Sequence, residues 1–341
     1  MRILIFTDCH WSATSSVLRT MGDKYTTRLE YLIKGLNWVN DLAVKNSCEA
    51  LICAGDMMDR ATLDDIEITA LKEIQWRLPC YFLVGNHESK DSSLLYTSVK
   101  ALESDNNIII NSPYTLDLPK AQIHFVPYIV ESDRKPLTDY LLDVDRSKKQ
   151  IIISHNDLNG VNYAGFVSQT GFKLDEIDAC CDLYLNGHLH NSERITNKIL
   201  NLGSMSAHNF TNDSFRYKYG VWFLDTDTLS LTFFENPYSL NFYKIDIMNA
   251  GDIKQLDKLK NQAILSVKCL DKLIAEVRTK LDAMPKVLTY RLIPIISLEE
   301  GTKVVDNSSL LVDHLAKFIE CCKEKLEPGP VLDAELQEIC K

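Results

Sequence analysis

Ala50-Leu51-Ile52-Cys53-Ala54-Gly55-Asp56-Met57-Met58-Asp59-Arg60 carries the fold in miniature. Five small or apolar residues, closed by a glycine, have the pattern of a short strand buried on both faces. The run then delivers a carboxylate. The same arrangement recurs on either side. Arg2–Thr7 leads into Asp8-Cys9-His10, and Cys80–Val84 into Gly85-Asn86-His87-Glu88. Ile151–Ser154 leads into His155-Asn156, and Leu183–Leu185 into Gly187-His188-Leu189-His190. Helical patterns separate these runs: an apolar stripe at Leu29, Leu32, Ile33, Leu36, Val39, Leu42 and Ala43, then Thr62–Gln75 and Ser92–Glu103. Strand and helix alternating over the first 190 or so residues reads as an α/β fold, and such folds place ligands beyond the carboxyl ends of their strands.

Further on, the pattern changes. Val221–Leu224, Leu229–Phe234 and Asn241–Ile245 read as a largely antiparallel sheet. Ile264–Leu270 is a strand, Asp271 opens a helix with Ile274, Val277 and Leu281 on one face, and Val287–Ile296 follows as a strand beyond Pro285. This small unit has the pattern of an accessory domain. A last helical stripe, Leu311, Leu315, Phe318, Cys322 and Leu326, ends at Pro328-Gly329.

The 341 residues allow about two domains. No apolar run approaches a membrane span, and the run before Asp8 is too short for the core of a signal peptide. Ten cysteines include no Cys-x-x-Cys pair, which favours the reducing cytoplasm over a disulfide framework or a zinc ribbon. Asp and Glu total 47 against 37 Lys and Arg, a net charge of −10. That argues against phosphate binding by a large basic surface. An acidic chain can still bind phosphates if metal ions supply the positive charge.

The five clusters offer carboxylates, imidazoles and an amide oxygen, a donor set suited to Mn, Fe, Zn or Ni rather than to a structural zinc site. They use five of the eight histidines. Asp-x-His and His-x-His place both side chains on one side of an extended segment. Glycines 55, 85 and 187 let the backbone approach an ion closely.

In this order, Asp-x-His, Gly-Asp-x-x-Asp-Arg, Gly-Asn-His-Glu, His and Gly-His-x-His, the motifs resemble the calcineurin-like metallophosphoesterase superfamily. Within it the chain is similar to SbcD-type nuclease subunits of double-strand-break repair, including the shorter phage recombination endonuclease subunits. Asn201-Leu-Gly-Ser204, then Glu235-Asn-Pro-Tyr238 leading into Phe242-Tyr-Lys-Ile245, carry that closer similarity. The resemblance implies an α/β fold: a metallophosphoesterase β-sandwich flanked by helices over residues 1–248, a small α/β cap domain over 249–297, and a C-terminal helix within 298–341.

It also implies two divalent ions, Mn²⁺ foremost. Asp8, His10, Asp56 and His190 would hold the first; Asn86, His155 and His188 the second, with Asp56 bridging. His87 would contact the scissile phosphate and assist the leaving group, a role suited to an imidazole that titrates near neutrality. Asp59, Arg60 and Glu88 would stand behind the ligands, with Asp59 and Arg60 paired to steer the Asp56 loop. Ser154, where glycine is usual in the nuclease branch, Glu88, where aspartate is usual, and Cys9 and Trp11 depart from that branch without removing a ligand.

The activity implied is 3′→5′ exonuclease and single-strand endonuclease cleavage in DNA recombination and repair. The partners implied are DNA and an SbcC-type SMC-like ATPase docked on the C-terminal helix, with homodimerisation and no membrane. The setting would be a bacterial cytoplasm, for a cellular or phage-encoded protein. On pattern alone that helix packs back on the accessory unit. A phosphomonoesterase or Ser/Thr protein phosphatase with the same dimetal site is the alternative activity, and Glu88 points towards it. A non-catalytic scaffold fits poorly with a complete ligand set. Outside the clusters, His124 lies in a strand pattern and reads as structural, Cys9 as a small buried side chain, and Arg146-Ser-Lys-Lys149 as a solvated turn. His208 and Asn209 fall in a loop, either near substrate or solvated, and Lys90 is a candidate phosphate contact.

Overall fold

The first sheet is built from the opening strand–helix alternation. β1 (Arg2–Phe6), β2 (Ala50–Cys53), β3 (Cys80–Leu83) and β4 (Asn107–Ile110) lie side by side and parallel. Between β1 and β2 runs α1 (Thr27–Lys45), started by Thr26, whose side chain accepts the Leu29 N–H. Its face at Leu29, Leu32, Leu36 and Val39 packs on Leu4, Phe6 and Leu51. On β1 the alternate residues Ile3 and Ile5 point the other way, into the core between the two sheets. Both faces of β1 are therefore buried, as its unbroken apolar run requires.

Helices are shorter than the sequence patterns predict. Thr62–Gln75 contains only α2 (Asp65–Leu71), because Asp64 and Glu67 form a capping box that fixes its start. Ser92–Glu103 yields one 3-10 turn, Ser98–Leu102. Upstream of it Asp91 accepts the Ser93 N–H and Leu94 takes a left-handed φ of 55°, so local side-chain bonding displaces helix.

β5 (Tyr114–Asp117), β6 (Ala121–Val126), β7 (Lys149–Ser154), α3 (Leu174–Cys180), β8 (Leu183–Asn186), β9 (Glu193–Arg194) and β10 (Ile199–Asn201) follow. The second sheet runs β9-β10-β8-β7-β6-β5, with β10, β8, β7 and β6 parallel. β11 (Gly220–Asp225) and β12 (Ser230–Glu235) then return to the first sheet, β11 pairing antiparallel with β1 and β12 antiparallel with β11 at the sheet's edge. The two six-stranded sheets bury Ile52, Leu83, Phe125, Ile153 and Leu185 between them. This is the expected α/β sandwich.

β13 (Asn241–Ile247) departs from the antiparallel expectation. It pairs in parallel with β14 (Ala263–Leu270), and β15 (Val287–Ile295) completes a separate three-stranded sheet. Residues 248–262, including a 3-10 helix at Ala250–Lys258, are long enough for the crossover that parallel pairing needs. α4 (Ile274–Asp282) lays Val277 and Leu281 against this sheet's core. The computed structural model describes residues 1–14, 21–163 and 166–296, and Met1–Pro294 belong to one compact unit. The stripe at Leu311–Leu326 lies outside the described residues. Among those described, no helix is long and apolar enough to cross a membrane.

His124, on β6, is fully buried. Its Nε2–H donates to Gln150 Oε1 at 2.8 Å, and Nδ1 lies 2.9 Å from the Thr115 hydroxyl. Burial pushes the imidazole below its usual 6.5, and the Gln150 bond only partly opposes this. A depressed histidine means the unfolded chain takes up the proton first. Its contribution to stability is complete above pH 6.5 and lost as the pH falls below that value. Unfolding of His124→Gln in urea should therefore lose less stability between pH 7.5 and 5.5 than the parent loses; equal losses would contradict this assignment.

Candidate metal centre

Each cluster sits just past the carboxyl end of a parallel strand. Asp8 follows β1, Asp56 follows β2, Asn86 follows β3, His155 follows β7 and His188 follows β8. Backbone bonds carry the β1–β2 pairing beyond the strands, with Asp8 N–H donating to Gly55 O and His10 N–H to Asp56 O, both at 3.0 Å. The two sheets are joined here as well, since His155 Nδ1–H donates to Ala54 O at 2.8 Å.

Close approach needs the motif glycines. A Cβ on Gly85 would lie 2.1 Å from Asp56 Oδ1, and one on Gly55 2.1 Å from His155 Nδ1. At Gly187 it would meet Ala54 O at 2.3 Å. Four of the clustered residues hold left-handed backbones, Asp8 (φ 50°), His10 (49°), Asp56 (48°) and His188 (74°). Such geometry is unfavourable for non-glycine residues and concentrates at functional sites.

The donors gather into two overlapping groups. His10 Nε2 lies 3.9 Å from Asp8 Oδ1, 3.8 Å from Asp56 Oδ2 and 3.1 Å from His190 Nε2. On the other side of Asp56, the same Oδ2 is 3.1 Å from His155 Nε2, and His188 Nδ1 is 3.0 Å from Asn86 Oδ1. Donors sharing one ion at bond lengths near 2.1 Å fall about 3–4 Å apart. Asp8 Oδ1 is buried without a hydrogen-bond partner. An unsatisfied buried carboxylate oxygen facing a mixed carboxylate–imidazole set fits a divalent cation well. The expected ligands Asp8, His10, Asp56, Asn86, His155, His188 and His190 are thus brought together, with Asp56 common to both groups.

Electrostatics agree with that use. Burial opposes ionisation of Asp56, but the charges of His155 and His10 overcome it and hold the carboxyl well below its ordinary range. Burial likewise opposes charge on His155, yet the Asp56 carboxylate pushes it up to about 10. His190 is driven down to about 4, chiefly by burial. A proton on His155 therefore balances Asp56 and must leave when a cation takes its place.

Side chains behind the ligands fix their rings. Asp59 Oδ1 accepts from His10 Nδ1 at 3.1 Å, and Asp157 Oδ1 from His188 Nε2 at 3.1 Å, leaving the opposite ring nitrogens to face the centre. Glu88 is fully buried and accepts the Met58 and Gly85 N–H groups, tying the second motif loop to the third. Burial, then Asp56, raises its carboxyl to about 7. Arg60 corrects an expectation. It does not pair with Asp59 but bonds Ser12, Asp64 and Glu67, anchoring α2 instead.

His87 is exposed. Its N–H donates to Asp56 Oδ1, and its Nδ1–H to Asp59 O at 2.9 Å, so Nε2 is its remaining ring nitrogen. Lys90 is exposed as well. Ser154 Oγ accepts from Asn156 Nδ2, an internal use for the residue that replaces glycine. Lys148 of the basic run pairs with Asp117, away from the centre.

One partner escaped the sequence reading. Asp157 stands two residues past His155, a His-x-Asp spacing that could have flagged it. Of the two readings left open for His208, near the site or solvated, the solvated one does not hold. The side chain is buried with its ring centroid 4.6 Å from that of His10 and 4.8 Å from that of His190. Burial, then His10, pushes its imidazole well below 6.5.

A family model for calcineurin-like phosphoesterases matches residues 1–192. The chain belongs to the calcineurin-like phosphoesterase family and is a metal-dependent phosphoesterase, a hydrolase whose family implies two divalent metals. An inferred phosphoesterase of Invertebrate iridescent virus 3, 078R, is 22% identical over 317 residues, 87% of each chain. Among solved structures, a dimetal phosphatase from Danio rerio is 12% identical with a TM-score of 0.40, covering 65% of this chain and 91% of that one. An archaeal phosphodiesterase, also 12% identical, has a TM-score of 0.36 and covers 69% and 99%.

The Gly85 contact gives a direct test. Gly85→Ala forces a methyl group into the Asp56 carboxylate and its backbone N–H, displacing the shared ligand. Calorimetric titration with Mn²⁺ should show both ions bound about 10–100-fold more weakly. Unchanged affinity would show that Asp56 is not held by this contact.

Proposed function

We propose that this phosphoesterase cleaves phosphodiester bonds in DNA, as a Mn²⁺-dependent 3′→5′ exonuclease and single-strand endonuclease serving recombination and repair. The observation that carries the reading is the additional sheet of β13, β14 and β15 with α4, which follows the catalytic strands within the same compact unit. A phosphatase acting on small esters has no need of it. Similarity to the viral relative extends over 87% of the chain, well beyond the residues of the family model, so the added module belongs to the conserved length of that match. The rim is open at His87, which suits a polymeric substrate.

Bound divalent ions would polarise the phosphate and lower the pKa of water at the site. The chain's own residues supply the rest. Asp8, Asp56 and Asn86 present oxygens, and Asp59 and Asp157 keep the His10 and His188 rings in the tautomers that coordination needs. His87, anchored through its backbone N–H and Nδ1–H, directs Nε2 to the leaving oxygen and, as the imidazolium, donates the Nε2 proton to it, ending as the neutral Nδ1–H imidazole. A deoxyribose alkoxide is a poor leaving group, which makes that proton valuable.

The resemblance to SbcD-type subunits supports an SMC-like ATPase as partner and residues 298–341 as its docking segment; such a partner would supply the DNA-binding surface that an acidic chain lacks. Glu88, the residue that points towards the phosphatase alternative, uses its longer arm to reach two backbone N–H groups.

Purified chain with Mn²⁺ should degrade end-labelled duplex DNA far faster than it hydrolyses p-nitrophenyl phosphate or a phosphopeptide. His87→Asn should lower kcat on DNA by about 10²–10⁴ while Mn²⁺ affinity holds. Preference for the monoesters would replace the nuclease reading with the phosphatase one, and loss of Mn²⁺ binding in the variant would make His87 a ligand.

A further inference from the structure

We infer that Arg28 and His208 are positioning residues for the first metal position, clamping the Asp8–His10 loop through its backbone carbonyls. Arg28 Nη2 donates to His10 O at 2.9 Å. His208 Nε2–H donates to Asp8 O at 2.8 Å. The same Arg28 nitrogen lies 3.4 Å from His208 Nδ1, which closes the two contacts into one chain of polar groups.

The arrangement answers a physical need. Asp8 and His10 both hold left-handed backbones, so nothing in the regular strand ladder fixes their carbonyls. Without partners, those buried oxygens would carry a desolvation penalty and the loop would relax. Relaxation would move Asp8 Oδ1 and His10 Nε2 apart, and with them the first metal position.

His208 is itself held in place. Its N–H donates to Asn212 Oδ1 at 2.9 Å, and Met205 N–H donates to Thr7 O at 3.0 Å, pinning the segment alongside the end of β1. Arg28 comes from the first turn of α1, where it is buried among the helix's apolar residues. The clamp thus couples a helix and a distant loop to one side of the centre. Both ring nitrogens of His208 are engaged with other groups, which separates it from the ligands even though its ring packs against His10 and His190.

The inference rests on the two-ion reading and predicts a selective defect. Calorimetric titration of the full chain with Mn²⁺ should show two ions in the parent. In His208→Phe, which keeps an aromatic ring but neither polar atom, one ion should bind about 10–100-fold more weakly while the other keeps its affinity. Turnover of bis(p-nitrophenyl) phosphate should fall in kcat at limiting Mn²⁺, recover in excess Mn²⁺ and show an unchanged KM. His208→Gln, with an amide donor and acceptor, should restore much of the affinity. If His208→Phe does not fold, Arg28→Met carries the same comparison through the His10 carbonyl. A parent binding two ions and variants binding both with parental affinity would overturn the clamp alone. Failure of His208→Gln to recover any affinity would overturn it in favour of His208 as a ligand. A parent that binds fewer than two ions would overturn the two-ion reading together with the clamp.

Discussion

A single buried carboxylate organises this protein. Asp56 stands one residue past a glycine at the end of β2, in a left-handed backbone and almost without solvent. Its Oδ1 accepts the His87 N–H, and its Oδ2 faces His155 on one side and His10 on the other. A charge in such a place is tolerated only with close compensation. Imidazoles from both sheets provide it, and cations would provide more. The parallel strands, the sheet-to-sheet bond from His155 to Ala54 and the glycines that permit contact all serve to bring partners to that one group.

Around the carboxylate, rigidity is layered. The ligand loops are short and strained, so their geometry depends on what lies behind them. Asp59 and Asp157 set ring orientation, and Glu88 ties two loops through backbone N–H groups. Arg28 and His208 perform the corresponding task for backbone carbonyls. Among the described residues of the centre, His87 is exposed with Nε2 uncommitted, which suits it to meet substrate.

Much of this was legible in the sequence. Strands that end in ligands announce themselves, because burial on both faces forces an unbroken apolar run and the following glycine marks the turn. The sandwich and the gathering of seven ligand-type residues followed from that pattern and its resemblance to a known superfamily. Other features depend on contacts that no local pattern records. β13 was grouped with antiparallel runs because its alternation is the same in either pairing, and the crossover decides the direction. The helix predicted after Glu88 gave way to side-chain bonding at Asp91. His208 was ambiguous because its partner, Arg28, is 180 residues away. A signal for Arg28 did exist. It lies four residues before Leu32 on the apolar stripe of α1, and a cation on such a stripe calls for a buried partner.

The central claim is that one carboxylate serves two ions held by separate sets of ligands. Crystals grown with Mn²⁺ and measured at the manganese absorption edge test it directly. The account predicts two anomalous peaks, one among Asp8, His10, Asp56 and His190 and the other among Asp56, Asn86, His155 and His188. A single peak, or a second peak without Asp56 among its ligands, would contradict it.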